Sequence, residues 1–197
     1  ALHPNQYVYY NALVGGVDGA EGKFDLDDWD NSLRELAEQL GGRVLWRTGN
    51  CRPYGDRVVY APLLDIVRRQ AGIADDDGDE ALRAKLSRLV PGSDAGLVVD
   101  RLAPLLGSAT DLAPSRGETQ RALQIVLQSL ADDGPAVVHV EDIHWAPPAL
   151  LDFLEALASD PEPVPLLVVT TARPELYRLR PGWGAGEAPG ITLALAI

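Results

Sequence analysis

The sequence predicts an α/β fold in which a mostly parallel sheet lies between two layers of helices. Three observations lead there. From Gly42 onward, strand-like and helix-like segments alternate along the chain. The strand-like segments are continuously apolar instead of period-two, as strands buried on both faces must be. With 46% hydrophobic residues in 197, the chain carries enough apolar material for one full domain.

The elements follow in order. Residues 7–14 are apolar and β-prone enough to form an interior first strand. Ser32 and Glu35 have capping-box spacing for a helix over residues 33–40, with Leu33, Leu36 and Leu40 available to pack on the sheet. Residues 43–48 read as a strand, and residues 60–72 as an amphipathic helix with Leu63, Leu64, Ile66 and Val67 at helical spacing. Two short helices, 81–89 and 95–106, are separated by Pro91-Gly92. A longer one, 116–131, stops at Asp132-Asp-Gly-Pro135. Next come a strand over 136–140, a helix over 149–158, a strand over 165–171 and a terminal strand from Ile191. The helices of residues 60–131 form an insertion between strands, and the sequence shows no internal repeat.

Composition narrows the function. The formal net charge of −12 arises partly from clusters at residues 25–30 and 75–80, and an acidic surface repels phosphate backbones and anionic lipid. Direct nucleic-acid binding by this segment is therefore not expected. The single cysteine, Cys51, cannot form an internal disulfide or a thiolate metal cluster, which fits a reducing cytoplasm. No run reaches the eighteen or so apolar residues of a membrane span, and the start lacks a basic-then-apolar signal. The chain contains no methionine and stops inside an apolar run, so it is expected to be a piece of something longer.

The stretch Pro135-Ala-Val-Val-His-Val-Glu-Asp-Ile-His-Trp145 ends an apolar run in two adjacent acids. Burying that run leaves Glu141 and Asp142 at the edge of a sheet, where nucleotide sites are built. Two readings compete. In one, this is a Walker B strand whose terminal acids hold Mg2+ and polarise a water for attack on a γ-phosphate. In the other, it is an ordinary buried strand entering a helix, since Asp142 followed by Pro147-Pro148 also reads as a turn and a helix start.

The surrounding motifs favour the first. Gly49-Asn-Cys-Arg-Pro-Tyr-Gly55, Tyr60-Ala-Pro-Leu-Leu, Arg116-Gly-Glu-Thr-Gln-Arg121, Val138-His-Val-Glu-Asp-Ile-His-Trp-Ala146 and Thr170-Thr-Ala-Arg-Pro-Glu175 follow one another in order, within a region from Gly42 onward that covers nearly four-fifths of the chain. Residues 42–197 thereby resemble the ATPase domain of bacterial AAA/STAND-type signalling NTPases, found in LuxR-type regulators and beside class III nucleotide cyclase domains. The resemblance implies a P-loop NTPase-like, ASCE-type fold, truncated at its C-terminal end, with ATP and Mg2+ as cofactors. It implies that Glu141 is the Mg2+ ligand and Asp142 the water-polarising acid, both near the metal, with the roles exchangeable. Arg173 resembles the arginine that reads the γ-phosphate, a role suited to an always-protonated fork; the alternative is a surface arginine at a strand end. Thr170 and Thr171 are placed to hydrogen-bond the attacking water, or else serve β-propensity. Trp145 is expected to pack behind the site. The family usually has an acid where Pro147 stands, which puts one polar contact in doubt.

A working phosphate loop needs the spacing G-x-x-x-x-G-K-[ST]. The candidate is Gly15-Gly-Val-Asp-Gly-Ala-Glu-Gly-Lys-Phe24, with Gly22 and Lys23 as the phosphate-binding residues. Aligned on that pair, Val17 replaces the first glycine and Phe24 the metal-binding hydroxyl, while Asp18 and Glu21 would repel phosphate. A glycine-rich turn is the competing reading. Residues 1–40 instead resemble the C-terminal segment of bacterial membrane proteins related to dolichyl-phosphate-mannose glycosyltransferases, without catalytic residues. Residues 1–41 are accordingly expected to be an atypical segment that replaces the first strand and phosphate loop. The expected function is an ATP-binding module of a cytoplasmic signalling or transcriptional regulator, exchanging ATP and ADP, working with effector or output domains, and compatible with an oligomer. A non-catalytic scaffold that keeps the fold is the alternative.

Overall fold

The structure, a computed structural model, describes residues 9–14, 35, 37–39, 41–53, 58–107, 115–158, 164–184 and 190–195. The phosphate-loop candidate at Gly22 and Lys23 and the capping residue Ser32 lie outside them. Among the described residues five strands form one sheet: β1 (Tyr9–Val14), β2 (Leu45–Asn50), β3 (Ala136–Glu141), β4 (Leu166–Ala172) and β5 (Gly190–Leu195). Their spatial order is β2-β3-β4-β1-β5, and every pairing is parallel. One row of the sheet reads Gly49, Val140, Thr170, Asn11 and Thr192. The α/β class holds, and β1 occupies the interior position expected of a first strand.

Among the described residues, four helices lie between β2 and β3: α1 (Ala61–Ala71), α2 (Asp79–Leu89), α3 (Ala95–Leu102) and α4 (Arg116–Ser129). The helix α5 (Pro148–Ala158) joins β3 to β4, and the single turn α6 (Leu176–Leu179) follows β4. Local chemistry sets their ends. Pro62 sits in the first turn of α1, where a missing N–H costs nothing, and Gly72 takes the left-handed φ of 65° that closes it. Ser115 caps α4 by accepting the Glu118 N–H at 3.4 Å and donating its hydroxyl to Glu118 Oε2 at 2.7 Å.

Several expected boundaries move, two of them for a visible local reason. The second strand begins at Leu45 because Gly41–Arg43 forms a 3-10 turn before it. The third insertion helix stops at Leu102, since Pro104 cannot donate to a continuing ladder, and Pro104–Leu106 tightens into a 3-10 turn.

The interior of the sheet explains the apolar runs. Residues 136–140 of β3 are all buried, so both faces of the strand are covered, as a layered sandwich requires. On one face Val138, Val140, Leu166 and Val168 join Leu63, Ile66, Leu123 and Leu154 of the helices in a continuous core. On the other, Val137, His139, Val169 and Thr171 are buried as well. Helix α1 approaches β2 closely enough that a Cβ on Gly49 would stand 2.3 Å from the Pro62 carbonyl oxygen. The glycine that opens the first family-like motif is thus fixed by helix-on-sheet packing.

Candidate functional site

The site is built at the carboxyl ends of β2, β3 and β4. Glu141 is the last residue of β3, and Asp142 follows with φ 57° and ψ 39°, the left-handed region that aspartate tolerates better than most residues. A 3-10 turn, Ile143–Trp145, comes next, before α5 starts at Pro148. The two acids therefore lie at a strand tip and in the turn after it, with side chains 17% and 33% exposed.

Their surroundings differ. Glu141 Oε2 accepts the Asn50 side-chain amide at 3.0 Å across the β2–β3 pair, whose register sets these two residues opposite each other. Its Oε1 lies 3.5 Å from His139 Nδ1. Burial pushes the His139 imidazole down to about 4, so this contact is not an ion pair near neutral pH. Burial also raises the Asp142 carboxyl above its ordinary value, and Glu141 adds to the effect while His144 and Arg173 oppose it.

The tips of β3 and β4 are tied beyond the last ladder pair. The Asp142 N–H donates to Thr171 Oγ1 at 3.4 Å, and the Arg173 N–H donates to His144 Nδ1 at 3.3 Å. Burial lowers the His144 imidazole, and its ring rests against Trp145 with centroids 4.9 Å apart. Thr170 and Thr171 are both buried. Arg173 is exposed at the tip of β4, and its charge is felt by both Asp142 and His144.

Of the expected site residues, Glu141, Asp142, Thr171 and Arg173 are thus brought together on neighbouring strand tips, while Gly22 and Lys23 fall outside the described residues. Asn50 was not singled out from sequence, although it closes β2 as Glu141 closes β3. Trp145 departs from expectation: it is 47% exposed and does not pack behind the acids. It instead lines a hollow of about 110 Å³ with Cys51, Arg52, Val59, Pro62 and Leu150. That is well below the roughly 300 Å³ at which small-molecule sites begin. A wider cleft of about 630 Å³, lined by Gln70, Lys85, Arg88, Asp132 and Asp133, lies at the amino ends of the strands, away from the acids.

The donor set suits a hard cation. Two carboxylates supply oxygen, and relief of the burial cost at Asp142 is what a bound cation would provide. Among the described residues no group of three or more His, Cys, Asp and Glu side chains is arranged to hold a metal. Mg2+ commonly takes only one or two carboxylates and completes its shell with phosphate oxygens and water. The carboxylate half of such a site fits, and the phosphate-loop candidate that would complete it lies outside the described residues.

Other family-like motifs have structural work. Tyr60 meets Phe153 edge-on with ring centroids 5.9 Å apart. Arg116 and Arg180 converge on Asp152, with Arg116 Nη2 at 2.8 Å from Oδ2, and Arg180 also reaches Glu155 at 3.1 Å. These exposed pairs clasp α4, α5 and the segment after α6, and solvent screening keeps the contribution of each small. Among the described residues no helix is long and apolar enough to cross a membrane.

Comparison with known proteins agrees with this architecture. An uncharacterized protein of Rhizobium meliloti (strain 1021) is 35% identical over 132 residues, which is 63% of this chain and 13% of that protein. The chain therefore spans only a small part of that relative's length. A family profile described as "AAA ATPase domain" matches residues 32–169, taking in β2, the helical insertion, β3 and most of β4. The chain belongs to the AAA ATPase domain family.

Proposed function

We propose that this chain is the ATP-binding module of a bacterial signalling or transcriptional regulator, of the STAND type found in LuxR-type and cyclase-associated proteins. The observation that carries the reading is the placement of Glu141 and Asp142 at the tip of an interior parallel strand, one strand from β1 and beside the tip that bears Arg173. The short share of the Rhizobium protein covered by this chain fits a module within a larger cytoplasmic protein that has effector or output domains.

In this reading Glu141, held by Asn50, and Asp142 would bind Mg2+, which supplies neutralisation of charge on the β- and γ-phosphates. Asp142 accepts a hydrogen bond from the attacking water and orients it toward the terminal phosphorus. Thr171 offers its hydroxyl to the same water, and Arg173 places a permanent positive charge near the terminal phosphate. Gly22 and Lys23 would meet the phosphates from residues 1–41, the glycosyltransferase-like segment that stands in for a phosphate loop. With Val17 and Phe24 at two key loop positions, affinity is reduced and turnover is slow.

Titration with labelled ATP and Mg2+ tests this. Saturable micromolar binding that disappears in Asp142→Ala supports it, and no binding at millimolar ATP overturns it. A second reading, a scaffold that keeps the fold without nucleotide, is favoured by the same loop substitutions, and it predicts the second outcome.

A further inference from the structure

The β3–β4 ladder ends at the pair Val140 and Thr170. Beyond it, the positions of Asp142 and Arg173 are set by two bonds in which a side chain substitutes for a ladder partner. Thr171 Oγ1 takes the Asp142 N–H at 3.4 Å, and His144 Nδ1 takes the Arg173 N–H at 3.3 Å. The two bonds run in opposite directions, each from the backbone of one strand tip to a side chain of the other.

The histidine bond has a specific consequence. Because Nδ1 receives a peptide N–H, the ring proton must reside on Nε2. That Nε2 is buried and has no hydrogen-bond partner among the described residues. An apolar ring or chain would fill the same space without burying an unmatched donor. What the imidazole provides and an apolar side chain lacks is the Nδ1 acceptor. The next residue along β4's exit is Pro174, which has no N–H, so the Arg173 amide is the last donor before the chain turns away. The Arg173 carbonyl is held as well, accepting the Leu176 N–H at 3.0 Å. The arginine peptide is thereby fixed on both sides, once by α6 and once by the ring two residues after Asp142.

We propose that His144 is a positioning residue of the ATP site, its Nδ1 holding the Arg173 peptide so that Arg173 and Asp142 keep a set spacing around the terminal phosphate of a nucleoside triphosphate. The proposal rests on the ATP-site reading. Its physical content is that a change felt at the Arg173 peptide, such as loss of the γ-phosphate, is passed by the His144 ring to the acid turn, and from there to α5, which starts three residues after Trp145. A diphosphate lacks the group that Arg173 reads. The link therefore acts on preference for ATP over ADP more than on affinity common to both.

The test compares the native chain with His144→Leu and His144→Asn. Asparagine carries an oxygen near the position of Nδ1 and can accept the same N–H; leucine cannot. ATP and ADP are titrated with Mg2+, amide exchange is followed at Arg173, and the ring nitrogens of the native chain are examined by NMR. The expected result is a preference for ATP over ADP that falls about fivefold or more in His144→Leu, with faster exchange at Arg173, while His144→Asn keeps both. In the native chain the ring proton sits on Nε2. Unchanged preference and exchange in His144→Leu, equal loss in both variants, equal native affinity for ATP and ADP, or a proton on Nδ1 each overturns the positioning role while leaving ATP binding intact. Absence of any native ATP binding overturns the nucleotide reading itself and this proposal with it. If His144→Leu does not fold, His144→Asn and the native ring spectrum decide.

Discussion

Asn50 and Glu141 face each other as the last residues of adjacent parallel strands, and the Asn50 amide donates to Glu141 Oε2 at 3.0 Å. A carboxylate aimed by a neutral amide keeps its full charge for a cation; a lysine at the same place would neutralise it. Replacing Asn50 by leucine leaves Glu141 without that orientation. The expected outcome is a loss of about 0.5–1.5 kcal/mol in stability, read by urea denaturation, and a several-fold weaker dependence of ATP binding on Mg2+. A variant that binds Mg2+ and ATP like the native chain would show that Glu141 needs no aiming.

Gly49 makes a prediction independent of nucleotide. A methyl group there meets the Pro62 carbonyl oxygen at 2.3 Å, a backbone atom that cannot rotate away. Gly49→Ala must therefore push α1 off β2 and is expected to cost about 1–3 kcal/mol, or more if the helix cannot shift. The midpoint of chemical denaturation should fall with little change in slope. Ala substitution at Gly42, where nothing among the described residues lies within 4 Å of the added carbon, is the control.

Asp142 opposes stability to function. Burial raises its carboxyl above the ordinary aspartate value, so the folded state disfavours the ionised form. The sign follows: the folded protein holds its proton more tightly than the unfolded chain, and stability is lost as pH rises through the carboxylate range. Asp142→Asn removes the charge and keeps the shape, so its thermal midpoint at pH 7 should rise while Mg2+-dependent ATP binding falls. A lower midpoint would mean that the carboxylate holds the turn together.

Much of the fold was legible because burial leaves a periodic trace. The apolar runs at residues 136–140 and 165–171 became β3 and β4, and the stop at Asp132-Asp-Gly-Pro135 falls between α4 and β3. Segment ends were less legible where a turn competes with a longer element, as at Gly41–Arg43 before β2 and Pro104–Leu106 after α3. The place of the acid pair was visible, since two carboxylates that close an apolar run must sit at the end of a buried strand. Asn50 and the His144 link were not visible, because both depend on the register of strands far apart in sequence, 91 and 29 residues respectively. Trp145 was misplaced for a related reason. Aromatic character suggests burial, but whether a ring in a short turn faces in or out is set by the turn's own geometry, and here the imidazole of His144 takes the interior position.

His139 gives the chain an acid-sensitive core. It sits in the middle of β3, 2% exposed, with the Trp46 ring edge-on at 6.2 Å, and burial depresses its imidazole from 6.5 to about 4. The folded state therefore keeps the ring neutral where the unfolded chain would protonate it. Stability from this residue is intact above pH 6.5 and is lost as pH falls toward 4, where the folded form also begins to bind the proton. At about pH 5 the loss from this single ring amounts to about 2 kcal/mol. His139→Leu fills the space without a titrating group. Urea denaturation of both chains between pH 7 and about pH 4.5 should show the native curve falling below the variant's by that amount, on top of carboxylate effects common to the two. Parallel curves would mean that the ring reaches solvent, or finds a partner, when it takes up its proton.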